Sequence, residues 1–483
     1  MFLILQLAAI CIMFLVTYIG FLAFGAPKKN LLFTREEKNE WDNSLQNGIG
    51  KWFTVTNIVG TLTSLATTYL FFIGNSKFFG WIILICPLAI WGGGFITNYF
   101  TKKILTDNYI RNILSDKSQT IAVVAKIFWR PNNQNAIKTS RIVKWVSLIN
   151  ICAVIWLEFA LFSDIASRLF NITNLECKIL FIFITSFLVV YFTVKFGLRG
   201  FVFADFFQSP IIGVSALCLI TGCAIAFFTK NNVDFSNLFH PINSYSDCGM
   251  FAIHVIFVNF FFVLVTEGHW LRIWIFGQKE TQLQIKSLSV TSVIWLILIL
   301  IGLLSFVITG GKSGESAIVG LLQQLHLLSP VFIVFFWLGG VAALFACADS
   351  QIFSFLIVNE FDYKSGQLKN KLMDKISPFP IAMAFACFFS IIYCILRVNN
   401  VPFEKIVFIV MPLSLNTLPA FVRAAKGYSQ KPKLILLSII CYLIFSIIGL
   451  FQPNNELAWT LIAAAWPLFF SLIALINFNI NEN

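Results

Sequence analysis

The chain has 483 residues, of which 58% are apolar and only 12% charged. Soluble domains run at about 45–50% apolar and about 25% charged, so the composition excludes a water-exposed globular protein and makes the fold a question about the bilayer. Basic residues outnumber acidic ones 34 to 22, a formal charge of +12, but they are spread thinly between apolar runs rich in the 55 phenylalanines. That spread argues against a nucleic-acid partner, which calls for a concentrated basic face.

A helix needs about 20 mostly apolar residues to cross about 30 Å of hydrocarbon. Along the chain that length predicts thirteen spans, near 2–25, 52–74, 79–100, 145–168, 179–194, 200–228, 249–266, 287–309, 329–357, 377–396, 406–422, 434–451 and 457–477. No Lys or Arg precedes the first span, whereas Lys28 and Lys29 follow it. This order reads as a retained helix with its N-terminus outside, not a cleaved signal. With that orientation 27 of the 34 basic residues fall in expected cytoplasmic segments, as the positive-inside rule asks. Lys77, Arg168, Lys178, Lys230, Lys312, Arg397 and Lys405 remain outside, and the odd number of spans returns the tail, ending at Asn483, to the cytoplasm. The expected location is a plasma membrane of the bacterial inner type. The longest loop, about 101–144, is too short for a core of its own. Eleven cysteines are scattered without a C-x-x-C pair; only Cys177 and Cys248 fall in expected external loops, and whether they pair stays open.

Two stretches are more specific. Phe196-Gly197-Leu198-Arg199-Gly200-Phe201-Val202-Phe203-Ala204-Asp205-Phe206-Phe207-Gln208 begins the sixth span, and Ala342-Ala343-Leu344-Phe345-Ala346-Cys347-Ala348-Asp349-Ser350-Gln351 lies in the ninth. The first resembles the G-G-L-K-A-V-V-W-T-D-V-x-Q segment of the sodium:solute symporter family, with Phe196 at its first glycine. The second resembles the family's A-A-x-M-S-[ST]-A-D-S-Q, and Trp270-Leu271-Arg272 echoes its W-Q-R. The resemblance implies an all-α polytopic membrane fold of thirteen transmembrane helices around a leucine-transporter-like core of two inverted five-helix repeats, with solute near the midplane. It divides the chain into residues 1–51, an extra helix and cytoplasmic loop; 52–228 and 229–425, the two repeats; and 426–483, two extra helices and a short tail.

The same resemblance places a second sodium site at Thr61, Ser64, Ala342, Ala346 and Cys347. Span two supplies small and hydroxylated residues around Gly60, as a locally unwound helix requires. The ninth span departs: Ala346 and Cys347 stand where the family has adjacent hydroxyls, and a hard cation gains little from a thiol. Asp349 lies two and three residues further, offset around the helix from the lost oxygens. Asp205, Asp349 and Ser350 are expected on a gate or ion path. Thr67, Thr68, Glu158, His254 and Asn259 are candidate solute-binding residues, because polar groups at membrane depth are costly without a function or a partner; interhelical hydrogen bonding is the plainer reading for His254 and Asn259. Glu267 and His269 read as gate or loop groups, and Asp164 as the partner of Arg168 one turn on.

The expected function is a symporter of a small organic solute working by alternating access, with Na+ as the family's coupling ion and no resident metal or cofactor. A proton-coupled or uncoupled permease, or a permease-like solute sensor, is the alternative. No phosphate loop, metal cluster, dinucleotide fingerprint or recognisable nucleophile motif points to an enzyme.

Overall fold

A computed structural model describes residues 8, 10–19, 49–115, 123–229, 238–276, 280–368, 377–398, 406, 409–451 and 456–476. The expected cytoplasmic segment with Lys28, Lys29, Arg35 and Lys38, the external Lys230 and Lys405, and the tail to Asn483 lie outside the described residues, as do the side chains of Thr67 and Arg199.

The described chain is helical apart from turns and a two-stranded antiparallel hairpin, β1 (Phe361–Asp362) and β2 (Gln367–Leu368). In order the helices are α1 (Ile10–Ile19), α2 (Ile49–Leu62), α3 (Phe71–Phe79), α4 (Ile85–Ile104), α5 (Asn108–Ser115), α6 (Val123–Phe128), α7 (Gln134–Leu169), α8 (Leu175–Gly197) and α9 (Ala204–Phe228). They continue as α10 (Tyr245–Val265), α11 (Glu267–Phe276), α12 (Glu280–Ile308), α13 (Glu315–Leu328), α14 (Pro330–Glu360), α15 (Pro378–Val398), α16 (Leu418–Ala425), α17 (Pro432–Phe451) and α18 (Glu456–Leu475). Ten stretches among the described residues are long and apolar enough to cross a membrane, the tenfold count treating Thr68–Ile104 as one helix. The expected second and eleventh spans are instead broken: α2 is parted from α3 by a π-helical turn, Leu65–Leu70, and a 3-10 segment, Met411–Thr417, precedes α16.

Local chemistry sets these boundaries. Gly197, in the motif before α9, adopts φ 60° and ψ −156°, a conformation open to glycine, and so parts α8 from α9. Asn133, Asn174, Ser244 and Ser329 cap α7, α8, α10 and α14, their side-chain oxygens accepting main-chain N–H groups that the first turns leave free. Polarity alternates along the chain. Residues 74–81, 164–178, 238–244 and 312–328 gather at one face, called the cap face because α13 lies over it; residues 105–133, 361–368 and 426–431 gather at the other.

Helices α7 and α14 form the centre, with 78% and 72% of their most apolar stretches buried, whereas α17 buries 28% and turns Leu436, Ile440, Leu443 and Ile447 outward. That outward apolar surface is lipid-facing in a chain of this composition. Cys177 and Cys248 are not bridged; Cys177 is exposed, while the Cys248 thiol is buried against the carbonyl of Phe78 at 3.8 Å.

Glycines permit the closest contacts. A Cβ on Gly302 of α12 would collide with the Phe72 carbonyl and come within 2.8 Å of Ser76 Oγ on α3. Gly302→Ala is therefore expected to destabilise the detergent-solubilised protein by about 1–3 kcal/mol, read as a lowered thermal midpoint.

Candidate functional site

Two helix interruptions build the site. The first follows Leu62, where Thr63 and Ser64 leave the helix and the chain resumes as the π-helical turn in which Tyr69 N–H donates to the Ser64 carbonyl at 3.0 Å. The second falls at Thr266, extended at φ −85° and ψ 141° between α10 and α11. Interrupted backbone at membrane depth is tolerated only where it is buried in protein or lines a cavity. Here Trp270 Nε1 donates to the Leu264 carbonyl at 2.7 Å and Thr266 Oγ1 to the Val263 carbonyl at 2.9 Å, satisfying two of the released groups.

Both interruptions open on one cavity of about 120 Å³. Thr61, Ser64 and Thr68 line it from the first, and Val263, Thr266 and Gly268 from the second. Phe71, Phe72, Phe251, Phe262 and Trp295 give the remaining wall an aromatic side among aliphatic and thiol groups, and His254, Asn259 and Gln351 add polar groups. Toward the cap face Phe251 of this wall stacks on Phe79 with ring centroids 3.7 Å apart. Among the described lining residues Arg272 is the one with a fixed charge, and no carboxylate is present.

The carboxylates lie just behind the wall. Asp205 of α9 and Asp349 of α14 are both fully buried, and Asp205 has Asp349 and Arg272 as charged neighbours. Arg272 Nε donates to Asn57 Oδ1 at 2.7 Å, and Asn57 Nδ2 donates to Asp205 Oδ2. One amide thus joins a guanidinium on α11 to a carboxylate on α9 through α2. Asp205 Oδ1 and both oxygens of Asp349 have no hydrogen-bond partner among the described residues. Asp349 is also a charged neighbour of Cys347, whose thiol meets the buried carboxyl of Glu158 on α7.

The expected residues separate into three groups. Thr61, Ser64, Thr68, Cys347, His254 and Asn259 line the central cavity. Ala342 and Ala346 are buried on α14 outside its lining, and Ala346 faces α2: a Cβ on Gly60 would lie 3.0 Å from Ala346 Cβ, 2.8 Å from Ser209 Oγ and 3.1 Å from Asp205 Oδ1. Asp205, Asp349 and Glu158 stand behind the cavity, while Ser350 donates to its own helix at the Ala346 and Cys347 carbonyls, 3.2 and 3.0 Å away. Thr67 lies within the π-helical turn.

Glu267 accepts the main-chain N–H of Val124 at 3.0 Å, and His269 joins Thr101 at 2.9 Å and Gln284 at 3.3 Å, so both tie α11 to its neighbours. Asp164 has cross-helix partners on α15, an ion pair with Arg397 and a 2.6 Å bond from Tyr393 Oη. Asn57 and the linking role of Arg272 were not singled out from sequence. An amide beside Gly60 in span two, and a guanidinium one turn past an interrupted helix, are the signals that could have found them.

No family model matches the chain, and no curated protein sequence matches it. Solved structures do. A Na+-coupled sialic acid symporter in a substrate-bound outward-open state is 14% identical, with 98% of this chain and 97% of that one aligned at a TM-score of 0.67. MhsT in complex with L-phenylalanine aligns at 14% identity over 88% of this chain and 96% of that one, with a TM-score of 0.44. Mhp1, a nucleobase-cation-symport-1 family transporter with bromovinylhydantoin bound, aligns at 12% identity over 88% and 91%, also at 0.44. The chain therefore has the polytopic helical fold of the first of these over 98% of its length, as the expected all-α membrane fold requires, with ten of the thirteen expected spans matched by membrane-length helices among the described residues.

Removing one partner of a buried charge pair leaves the other uncompensated. Arg272→Met is expected to lower stability by about 3 kcal/mol or more, and Asp205→Asn in the same protein to restore part of it, both read from thermal unfolding in detergent.

Proposed function

We propose that this protein is a secondary transporter of a small organic solute, working by alternating access in a plasma membrane with its N-terminus outside. The observation that carries the reading is the cavity held between two interrupted helices, α2–α3 and α10–α11, the arrangement by which inverted-repeat transporters form a midplane site. The two interruptions fall at the first helix of each proposed repeat, residues 52–228 and 229–425. They run through the membrane in opposite senses, α2 toward the cap face and α10 away from it. Thr61, Thr68, His254 and Asn259 offer the solute hydrogen bonds between aromatic walls, and no redox or group-transfer chemistry is called for.

The coupling ion follows from the charges. Asp205 is flanked by Asp349 and Arg272, and Glu158 is buried close by against Cys347, so carboxyl groups outnumber the guanidinium in this buried cluster and ionising all of them is costly. A cation entering with solute would relieve it. Thr61 and Ser64 remain on α2's side of the family's sodium position, but Ala346 packs a methyl against Gly60 and Cys347 brings a thiol, so a hard cation finds two fewer oxygens. A proton bound at the carboxylate pair needs no such ligand shell, and we favour it as the driving ion over Na+.

Proteoliposomes loaded to impose either a proton or a sodium gradient test this with a broad panel of amino acids, sugars and carboxylates. The expected outcome is saturable accumulation driven by protons, only weakly stimulated by sodium, and lost in Asp205→Asn. Ala346→Ser with Cys347→Thr should raise the sodium stimulation. Failure of both gradients to drive accumulation of any solute would remove active symport.

A further inference from the structure

A second and larger cavity opens at the cap face, about 690 Å³, walled by the end of α7, the turn into α8, the start of α13 and the end of α15. Its charged lining is one-sided. Arg168, Lys178, Lys312 and Arg397 all border it, against one carboxylate, that of Asp164, among the described lining residues. That carboxylate is buried and already held by Arg397 and Tyr393. Sequence sidedness sharpens the point. Only seven of the 34 basic residues fall on the expected outer side, where the positive-inside rule leaves them scarce, and four of those seven converge on this one cavity.

The cavity is also built on fixed backbone. Ile172 N–H donates to the Ser167 carbonyl at 2.7 Å, Asn171 takes the left-handed conformation at φ 54°, and Ser163 Oγ donates to the Lys178 carbonyl at 3.1 Å, locking the α7–α8 corner. The Asp164–Arg397 pair fixes α15 to that corner, and Gly314 N–H donates to the Gly74 carbonyl at 2.8 Å, seating the start of α13 on α3. Cations carried on a rigid, partly enclosed wall focus their field and raise the local concentration of anions. The central cavity agrees in sign, since its one fixed lining charge is Arg272.

We infer that the cap-face cavity is a collecting vestibule for a small organic anion, a carboxylate-bearing solute taken from the outer aqueous phase. The onward path to the central cavity rests on the transporter reading above; anion binding in the vestibule does not.

The test uses the full chain in phosphatidylcholine nanodiscs with 5-carboxyfluorescein as the probe, followed by fluorescence anisotropy at low and high ionic strength. Lys178→Gln with Lys312→Gln is expected to weaken binding about tenfold at low salt, with the difference shrinking as salt rises. Lys102→Gln with Lys103→Gln, on the opposite face, should bind as the parent does. Circular dichroism checks folding of each, and Lys312→Glu alone provides a milder second variant expected to weaken binding in the same direction. Equal affinity in the folded double variant overturns the proposal. So does displacement of the dye by phosphatidylglycerol in the disc, which would assign the cavity to a lipid headgroup. Dye binding without uptake of any solute would leave the vestibule standing and remove the transporter reading; uptake confined to neutral or cationic solutes would remove the vestibule.

Discussion

The structure depends on how it pays for charge in a medium that does not solvate it. Three ionisable side chains, Asp205, Asp349 and Arg272, sit where water is scarce, and Asn57 connects the guanidinium to one carboxylate. The four residues come from α9, α14, α11 and α2, so four separate helices meet at this cluster, three of which also contribute to the cavity wall. Stability and function are then hard to separate. Asp205 Oδ1 and both Asp349 oxygens are buried without a hydrogen-bond partner among the described residues, so removing the one guanidinium beside Asp205 would leave the cluster costlier still.

The interruptions in α2–α3 and α10–α11 make the complementary contribution. Continuous helices would spend every main-chain group on themselves; a π-helical turn and an extended Thr266 release a few toward the cavity. Aromatic rings then exclude lipid and solvent from the opening, with Phe251 shared between the cavity wall and the stack on Phe79.

Much of this was legible in the sequence, and the reasons differ by feature. Apolar length predicts spans well because the hydrocarbon thickness is fixed, and Gly197 before Asp205 marks a real helix break. Length alone does not register interruptions, so span two reads as one helix although Thr63 and Ser64 divide it. Among the candidate residues Thr61, Ser64, Thr68, His254, Asn259 and Cys347 line one cavity, and Asp205 has Asp349 as a like-charged neighbour, a proximity that no spacing could tell. Glu158 reads as a solute ligand by burial cost, yet it faces the Cys347 thiol behind the wall. Asn57 and Arg272, 215 positions apart, could be joined only in three dimensions.

The cap face is closed largely by main-chain hydrogen bonds. Gly314 bonds to Gly74, Trp81 to Phe239, Ile242 to Lys77 and Asn243 to Phe78, each between backbone atoms. Bonds of that kind carry no side-chain signature, so residues at these positions can drift without loosening the closure so long as proline is avoided and the positive-φ glycines at 80 and 314 are kept. Side chains at these positions can therefore change without altering the atoms that make the four bonds. The cavity walls differ in this respect, because there the contacts are made by the side chains themselves.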